Sequence, residues 1–351
     1  MNIKDGTSKL GKNRSMTFFQ AEDFFEELAH DQAHGSINEK DVSKTLISMS
    51  ERGESEDELS AAVSVMSRYT VKFNHDISNT IDTCGTGGDG KKTINLSSAV
   101  AVILSSLNIP VIKHGNRSQS GFIGSADIFE MFNVPIELET QKALDYFDKN
   151  RFIFLFAPKY QPAMKKVAPI RKRIGKPTIF NLLGPLLNPG NPQFQIIGIG
   201  NINKLDLYAK TLKKLKRKNV IVYSSLDGFD EISTYMPTKC CKISGDEWEN
   251  FMIYPNKYFK PFLMPSIKSP SESKKMFYIS LEGKCENLVN LLSINAFVAF
   301  SMVKNIPLDD AFYEVKKYIK EGIALRKLES LALNMDKGFT GNLLDKQSEG
   351  N

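Results

Sequence analysis

The chain has 351 residues, of which 41% are hydrophobic and 25% are charged, and its formal net charge is +6. This is the composition of an ordinary soluble protein with two lobes and a sizeable core, and it excludes disordered and fibrous classes. The four cysteines form no C-x-x-C pair and no disulfide framework, which favours a cytoplasmic location.

The first part of the chain is expected to be helical. Residues 1–16 are basic but lack the apolar core of a signal peptide, so we expect a mobile tail there, with Met16 as an alternative start. A helical domain of three or four helices is predicted over residues 17–78, because apolar residues recur at helical spacing. Two S-x-x-E patterns, Ser36 to Glu39 and Ser55 to Glu58, predict capping boxes at helix starts.

Within this helical region, His30 and His34 stand four residues apart, as do the histidines of H-E-x-x-H zinc proteases. Asp31 replaces the general-base glutamate, and Gly35 ends the helix at the second histidine. We therefore predict no metal site there.

From residue 79 the pattern changes, and an α/β domain is predicted over residues 79–345. Short apolar runs alternate with helical segments, which is typical of a mostly parallel central sheet. The predicted strands are Thr80–Cys84, Pro110–Lys113, Phe152–Phe156, Phe194–Ile199 and Val220–Tyr223. The expected fold class is therefore α/β, with a small helical N-terminal lobe and a larger α/β lobe.

A glycine-rich loop, T-C-G-T-G-G-D-G-K-K-T from Thr83, follows the first predicted strand. A P-loop requires a hydroxyl directly after its lysine, but here Lys92 takes that position and Thr93 comes one residue late. A dinucleotide site requires an acidic residue about 20 positions further on, yet residues 90–126 contain no Asp or Glu. A plain structural turn is the remaining alternative.

The acid-free stretch after this loop is itself informative. It contains Lys91, Lys92, Lys113, His114 and Arg117, so we expect these cations to face an anion with no negative charge to oppose it. The loop is therefore predicted to bind a phosphate group in a third manner.

Two further segments indicate whether the protein binds nucleic acid or a membrane. The basic run Lys213–Lys218 is predicted to be a solvated helix face, and the chain lacks zinc-finger and RNA-binding motifs, so nucleic-acid binding is unlikely. The apolar stretch Leu288–Val303 is shorter than the roughly 20 residues of a membrane span. It is predicted to be a buried core helix, with no membrane contact.

Several motifs together carry a resemblance to a known family. They are D-T-C-G-T-G-G-D-G from Asp82, N-L-S-S from Asn95, K-H-G-N-R-S from Lys113, G-S-A-D from Gly124, Q-P-A-M-K from Gln161, A-P-I-R-K from Ala168, T-I-F-N-L-L-G-P-L-L-N-P from Thr178 and D-G-F-D-E-I-S from Asp227. In this order, from about Phe18 to Leu331, the chain closely resembles the anthranilate phosphoribosyltransferases. Pyrimidine nucleoside phosphorylases share that fold but lack the N-L-L-G-P segment.

The resemblance implies transfer of a phosphoribosyl group from phosphoribosyl pyrophosphate (PRPP) to the amine of anthranilate, the second step of tryptophan biosynthesis. It further implies a cleft between the two lobes, helices around residues 160–192 that return to the helical lobe, and a homodimer. The glycine loop would then hold a pyrophosphate, whose charge backbone amides and magnesium neutralise as the bond to ribose breaks.

By this resemblance, donor-binding and metal-binding residues can be assigned. The donor site comprises Gly85, Thr86, Gly87, Gly88, Asp89, Thr93, Asn95, Ser97, Ser98, Lys113 and Ser120. The expected Mg²⁺ ligands are Ser97, Asp230 and Glu231, since hard oxygen donors suit this ion beside a polyphosphate. Without the family, an Asp-Glu pair would be read as a solvated turn.

The acceptor residues implied by the resemblance are Gly85, His114, Asn116, Arg171 and Pro185. Arg171 and Asn116 match positions that hold the anthranilate carboxylate and neighbouring polar groups, and Pro185 would line the aromatic ring. His114 is either a positioning group or a structural histidine beneath the loop. No catalytic acid or base is assigned, because an aryl amine is already neutral at pH 7.

The chain departs from the family pattern at three positions. Gly121 replaces a phosphate-binding serine, Phe122 replaces a basic residue, and Gln161 stands where the family has a histidine. These changes predict a relaxed acceptor preference, with neutral drift as the alternative. Three other functions are alternatives to this prediction. They are a nucleoside phosphorylase, a transferase for a different aromatic amine, and a catalytically silent paralogue that binds nucleic acid.

Overall fold

The centre of the protein is a seven-stranded sheet, seen in a computed structural model that describes residues 14–30, 38–87, 91–118 and 123–333. The strands are β1 (Ile81–Gly85), β2 (Val111–Gly115), β3 (Phe152–Phe156), β4 (Phe194–Gly198), β5 (Val220–Ser225), β6 (Thr238–Ser244) and β7 (Glu247–Ile253). Their order is β3-β2-β1-β4-β5-β6-β7, with the first five parallel and the last two antiparallel. The predicted α/β class with a mostly parallel sheet is confirmed.

All five predicted strands are present, each within two residues of its expected bounds. Each is a short apolar run that is buried in the sheet, and for this reason the sequence pattern predicted it as a strand. The antiparallel pair β6 and β7 was not predicted. The edge strand β7 is largely exposed and reads E-W-E-N-F-M-I, so it has no apolar run to mark it.

In the described residues, three helices precede the sheet: α1 (Phe18–His30), α2 (Glu39–Arg52) and α3 (Glu56–Arg68). The predicted capping box at Ser55 is confirmed, since Glu58 N donates to Ser55 Oγ at 3.2 Å and Ser55 N donates to Glu58 Oε2 at 2.9 Å. The other predicted box is wrong, because the N-cap of α2 is Asn38, whose Oδ1 accepts from Lys40 N at 3.1 Å. Ser36 itself lies outside the described residues, as do Asp31, His34 and Gly35.

The predicted N-terminal tail ends earlier than residue 16. Met16 is buried, and its backbone N–H donates to Glu58 Oε1 at 2.9 Å. Glu58 is fully buried and also accepts from Arg52 Nη2 at 2.7 Å. Residue 16 is therefore fixed to the start of α3, and residues 1–13 lie outside the described part of the chain.

The remaining helices surround the sheet. They are α4 (Leu96–Ser106), α5 (Ser125–Met131), α6 (Thr140–Asn150), α7 (Ala157–Tyr160), α8 (Pro162–Ile174), α9 (Phe180–Leu183), α10 (Leu205–Lys214), α11 (Pro270–Leu281), α12 (Glu286–Lys304), α13 (Leu308–Lys320) and α14 (Ile323–Leu331). Helix α12 is long and apolar enough to cross a membrane by composition, but 72% of its apolar window is buried inside the fold. It is the predicted core helix.

Helices α8 and α9 lie against the N-terminal helices, where α8 contacts α1 and α2 and α9 contacts α3. Phe25 of α1 packs edge-to-face on Phe180 of α9, with ring centroids 5.9 Å apart. The same hydrophobic cluster continues to Val222 of β5. The division into domains at residue 78 remains a prediction.

The order of the parallel strands reverses direction between β1 and β4. From β1 the chain proceeds outward to β2 and β3 on one side, and then to β4 and β5 on the other. In open parallel sheets, the crevice outside the carboxyl ends of the two strands at such a reversal is where ligands bind. Here these strands are β1, which ends in the glycine loop, and β4.

The basic run Lys213–Lys218 does not form a single helix face. Helix α10 ends at Lys214, and Lys216 has a positive φ of 53°. Arg217 then turns back and donates to Asn191 Oδ1 at 3.0 Å. The expected continuous basic face is therefore wrong.

Candidate functional site

The glycine loop is attached to the loop that follows β4. Thr86 N donates to Gly198 O at 2.9 Å, and Gly200 N donates to Thr86 Oγ1 at 3.3 Å. Gly87 has φ of 60°, a left-handed conformation that favours glycine. Gly88, Asp89 and Gly90 lie outside the described residues.

The carboxylate of Asp230 lies directly on this loop. Gly87 N donates to Asp230 Oδ2 at 2.8 Å, although the two residues are 143 positions apart in the chain. A Cβ on Gly85 would collide with the same oxygen, and a Cβ on Gly198 would collide with the Asp230 carbonyl. Glycine is therefore required at position 198, where the clash is with backbone, whereas a side chain at position 85 would displace the Asp230 carboxylate from the loop. The Asp230–Glu231 pair lies at the ends of β1 and β4.

The acidic loop is held from behind by α12. Asn295 Oδ1 accepts from Ile232 N at 2.8 Å, and Asn295 Nδ2 donates to Ile232 O at 3.0 Å. Asp227 accepts hydrogen bonds from Ser225 Oγ and from Ser233 Oγ. In the sequence, Asn295 is a polar residue within an apolar helix, and no motif marks it as a support of the acidic loop.

The start of α4 carries the hydroxyl groups assigned to the donor. Ser98 is buried, and its Oγ has no hydrogen-bond partner among the described residues. Ser97 Oγ accepts from Lys113 Nζ at 3.2 Å, and Thr93 is half-buried just before the helix. Asn95 is the N-cap residue, but its side chain bonds Ile123 O and Ser273 Oγ.

Lys113 was expected to offer its charge directly to the donor. Its side chain is only 1% exposed, and Nζ donates to Thr83 O at 2.5 Å and to Ser97 Oγ. Burial lowers its pKa, which the neighbouring Asp82 carboxylate partly offsets. Lys113 therefore lies beneath the loop and fixes Thr83 and Ser97.

The expectation that these cations face no negative charge is wrong. Arg117 forms ion pairs with Glu130 and Asp127, and its Nη2 lies 2.7 Å from Glu130 Oε1. Asp82, which precedes the acid-free stretch, is fully buried near Lys113. Residues 90–126 contain no acidic residue, but acidic residues from neighbouring segments lie beside them in the folded chain. Ser120, Gly121 and Phe122 lie outside the described residues.

His114 is buried next to Lys113 and is 8% exposed. Burial lowers its pKa to about 4, and Lys113 adds to this effect, whereas a bond to the Gly184 backbone opposes it. Its Nε2 has no hydrogen-bond partner among the described residues. At neutral pH His114 is therefore an uncharged imidazole with one buried polar nitrogen available.

Arg171 projects from α8 and is half-buried. Its guanidinium carbon lies 6.0 Å from the centroid of the Phe180 ring. Burial lowers its pKa, and no carboxylate in the described part of the chain opposes that shift. Arg173, two residues on, differs because Glu39 pairs with it at the surface.

Asn116 and Pro185 complete the acceptor residues. Asn116 Oδ1 accepts from Arg117 N at 2.8 Å, and Asn116 O accepts from Ala126 N at 3.2 Å, so this residue shapes the turn after β2. Pro185 is buried in the 3₁₀ helix Gly184–Leu186, and its carbonyl accepts from Gln195 Nε2 at 2.6 Å. Gln195 was missed from the sequence, although it is the polar residue of the otherwise apolar β4.

Gln161, which replaces the family's histidine, is 4% exposed. Its Oε1 accepts from Thr70 Oγ1 at 2.9 Å, and its Nε2 donates to Leu187 O at 2.7 Å. Both ends of the amide are therefore bonded within the protein, and Gln161 joins the end of the N-terminal helices to the Pro185 segment.

The described residues contain no group of three or more His, Cys, Asp or Glu side chains placed to hold a metal ion. His30 is described only as backbone, so the predicted absence of a zinc site there is not tested by the structure.

Comparisons with known proteins agree with this geometry. Residues 77–325 match the family described as "Glycosyl transferase family, a/b domain". An anthranilate phosphoribosyltransferase from Caldicellulosiruptor saccharolyticus is 35% identical over 332 residues, 94% of this chain and 97% of that protein. The crystal structure of anthranilate phosphoribosyltransferase from Thermus thermophilus has a TM-score of 0.82 at 25% identity and covers 94% of this chain and 98% of that one.

A yeast structure shares the fold at lower identity. Anthranilate phosphoribosyltransferase from Saccharomyces cerevisiae, in complex with PRPP and Mg, has a TM-score of 0.83 at 21% identity, and it covers 94% of this chain and 96% of that one.

Proposed function

The chain belongs to the anthranilate phosphoribosyltransferase family, and from this premise we propose which of its residues carry out the reaction. The reaction transfers the 5-phosphoribosyl group from PRPP to the amine of anthranilate and releases pyrophosphate. It is the second step of tryptophan biosynthesis from chorismate.

One observation supports the proposal above all others: the hydrogen bond from Gly87 N to Asp230 Oδ2. It brings the glycine loop and the acidic pair together at the strand reversal, and Thr83 Oγ1 joins β1 to the amino end of α4 by donating to Ser97 O at 2.8 Å. Backbone amides, hydroxyl groups and carboxylates in one crevice form a set that can bind a polyphosphate together with its counter-ion.

For the donor, we propose that the pyrophosphate lies on the glycine loop and the start of α4. Ser98 offers a buried hydroxyl with no other partner in the described chain. The amino end of the helix favours negative charge. Lys113 acts through Ser97, which it holds by a direct hydrogen bond, and Gly88, Asp89 and Ser120 are assigned by family resemblance.

The oxygen donors present fit Mg²⁺. Asp230 and Glu231 supply two carboxylates, and Ser97 supplies a hydroxyl, which leaves the remaining coordination positions for pyrophosphate and water. When bound, the ion neutralises charge that develops on the leaving pyrophosphate. Asp230 must give up or share the oxygen that now accepts from Gly87 if it is to use that atom as a ligand.

For the acceptor, we propose that Arg171 binds the anthranilate carboxylate. A half-buried guanidinium without a carboxylate partner in the described chain gains a charge-assisted bond when that ligand enters. Pro185 lies against the ring, and His114 and Asn116 border the amine. No general base is required, because the amine is neutral and its nucleophilic lone pair is available.

We also propose a homodimer and a cytoplasmic location. Three described cysteines, Cys84, Cys240 and Cys241, are buried free thiols, and Cys285 is an exposed one, as expected in a reducing compartment.

The direct test follows anthranilate fluorescence in the presence of PRPP and Mg²⁺. Loss of the signal only when all three are present supports the proposal. Turnover of a nucleoside with phosphate would favour the phosphorylase, and turnover of another aromatic amine but not anthranilate would favour the alternative transferase. Salt-dependent DNA binding without any turnover would favour the silent paralogue.

A further inference from the structure

Gln195 is a buried amide that spans two parts of the site. It lies on β4, directly opposite Asp82 of β1 in the register of the sheet, and it is 6% exposed. Its Nε2 donates to Pro185 O at 2.6 Å and to Asp82 Oδ2 at 3.2 Å. The same nitrogen also donates to Cys84 Sγ at 3.5 Å, so its two hydrogens are shared among three acceptors, of which Pro185 O is the nearest.

On the β1 side, Asp82 does not depend on Gln195 alone. Its Oδ1 accepts from His114 N at 3.4 Å, and the Lys113 charge stabilises the buried carboxylate. Asp82 also lies within a paired strand, whose backbone register runs from Ile81 to Gly85 against β4. The position of β1, and hence of the glycine loop, is therefore fixed by several other contacts.

On the other side, Pro185 depends far more on this contact. Proline has no N–H group, so the carbonyl is the only polar group that its backbone can offer. The neighbouring residues have their own anchors, because Leu187 O accepts from Gln161 and Asn188 Nδ2 donates to Ile112 O at 2.8 Å. The bond from Gln195 ties Pro185 itself to β4 and, through the second bond to Asp82, to β1, which carries the glycine loop.

We propose that Gln195 is a positioning residue for the acceptor: its amide holds Pro185 at a set distance from β1 and so fixes the wall against which the aromatic ring lies. This inference rests on the proposed placement of Pro185 beside the anthranilate ring. Gln195 does not touch the substrate. Its loss acts on the acceptor side, because the donor side keeps its other supports.

The test replaces Gln195 with methionine, which has nearly the same length and no N–H group. Leaving a buried carbonyl without its donor is expected to raise the KM for anthranilate about tenfold. The KM for PRPP should change less than about twofold, because β1 and the glycine loop keep their other contacts when the bond to Asp82 is lost. Because the wall moves, the ratio of kcat/KM for ring-substituted anthranilates to that for anthranilate should also shift.

A matched control lies two residues earlier. Gln193 is exposed at the amino end of β4, and its Oε1 accepts from Asn79 N, far from the wall. Gln193→Met should leave both KM values and the specificity ratio unchanged. Gln195→Asn, which keeps the amide but shortens its reach by one methylene, should raise the KM for anthranilate alone and serves if Gln195→Met does not fold.

These measurements distinguish a failure of the proposed function from a failure of the positioning role of Gln195. A parent enzyme that does not consume anthranilate overturns the proposed function. A parent that does, with Gln195 variants whose two KM values rise together or whose specificity ratio stays constant, overturns the positioning role and leaves Gln195 as an ordinary core residue.

Discussion

Arg171→Ala is the substitution that tests the acceptor site most directly. The guanidinium is half-buried on α8, and its nearest recorded aromatic contact is the Phe180 ring, 6.0 Å from its central carbon. Because no carboxylate of the described chain pairs with it, the folded protein loses little when it is removed. The cation–π contact at this distance is worth about 0.5 kcal/mol.

Arg171→Ala should lose more free energy in anthranilate binding than in folding. A charge-assisted hydrogen bond to a carboxylate contributes about 1.5 to 3 kcal/mol, which corresponds to roughly a 10- to 150-fold loss in acceptor affinity. The affinity for PRPP should barely change, since the donor lies on the glycine loop and on α4. Arg171→Lys retains the charge without the two-pronged geometry and should fall between the parent and Arg171→Ala.

The measurement is the anthranilate dissociation constant from its fluorescence, together with both KM values. Arg173→Ala is the matched control, because this arginine lies on the same helix and pairs with Glu39 at the surface. It should leave both substrates unaffected. If Arg171→Ala instead raised the constant for PRPP, Arg171 would be a phosphate ligand and the acceptor assignment would be refuted.

Three further predictions concern the metal, the acceptor preference and pH. Asp230→Asn with Glu231→Gln should abolish Mg²⁺-dependent turnover while circular dichroism and Tm stay near the parent, because shape is kept and charge is lost; unaltered magnesium dependence would remove the pair from the site. Gln161→His with Phe122→Lys should shift the kcat/KM ratio toward anthranilate over its ring-substituted forms, and an unchanged ratio would leave neutral drift as the explanation. The lowered pKa of His114, about 4 in the folded state against 6.5 unfolded, means that the unfolded chain binds the extra proton first. Stability should therefore fall as pH drops from about 6.5 toward 4, by up to about 3 kcal/mol, and His114→Gln should flatten that part of the urea-unfolding profile.

The parts of the fold that could be predicted are those determined by a few residues that are adjacent in the sequence. A buried parallel strand is a short apolar run, and the capping box at Ser55 is a four-residue pattern, so both could be read directly. The edge strand β7 could not be predicted, because it is largely exposed and its first four residues, E-W-E-N, include three polar ones. The second predicted capping box is wrong because the helix begins two residues later, at Glu39, with Asn38 as its N-cap.

The candidate site depended on contacts between distant parts of the chain. The glycine loop suggested a phosphate, but nothing near residue 87 indicates that Asp230 would accept its N–H. Family resemblance supplied that link, and the collision at Gly85 and Gly198 now gives its physical reason. Gln195 and Asn295 had no comparable motif, since a single amide in an apolar strand or helix has many structural explanations.

Charge was the property that the sequence described least well. Arg117 and Arg171 are both single arginines in polar motifs, and the acid-free stretch around Arg117 led to the expectation that Arg117 faces an anion with no negative charge to oppose it. In the folded chain, Glu130 and Asp127 neutralise Arg117 from the next helix, whereas Arg171 has no such partner among the described residues. Because an ion pair already made must be broken before a ligand can replace it, an arginine that already has a partner is the weaker ligand site. The contrast supports our proposal that Arg171, not Arg117, binds the acceptor carboxylate, whereas the ion pairs of Arg117 hold the turn after β2.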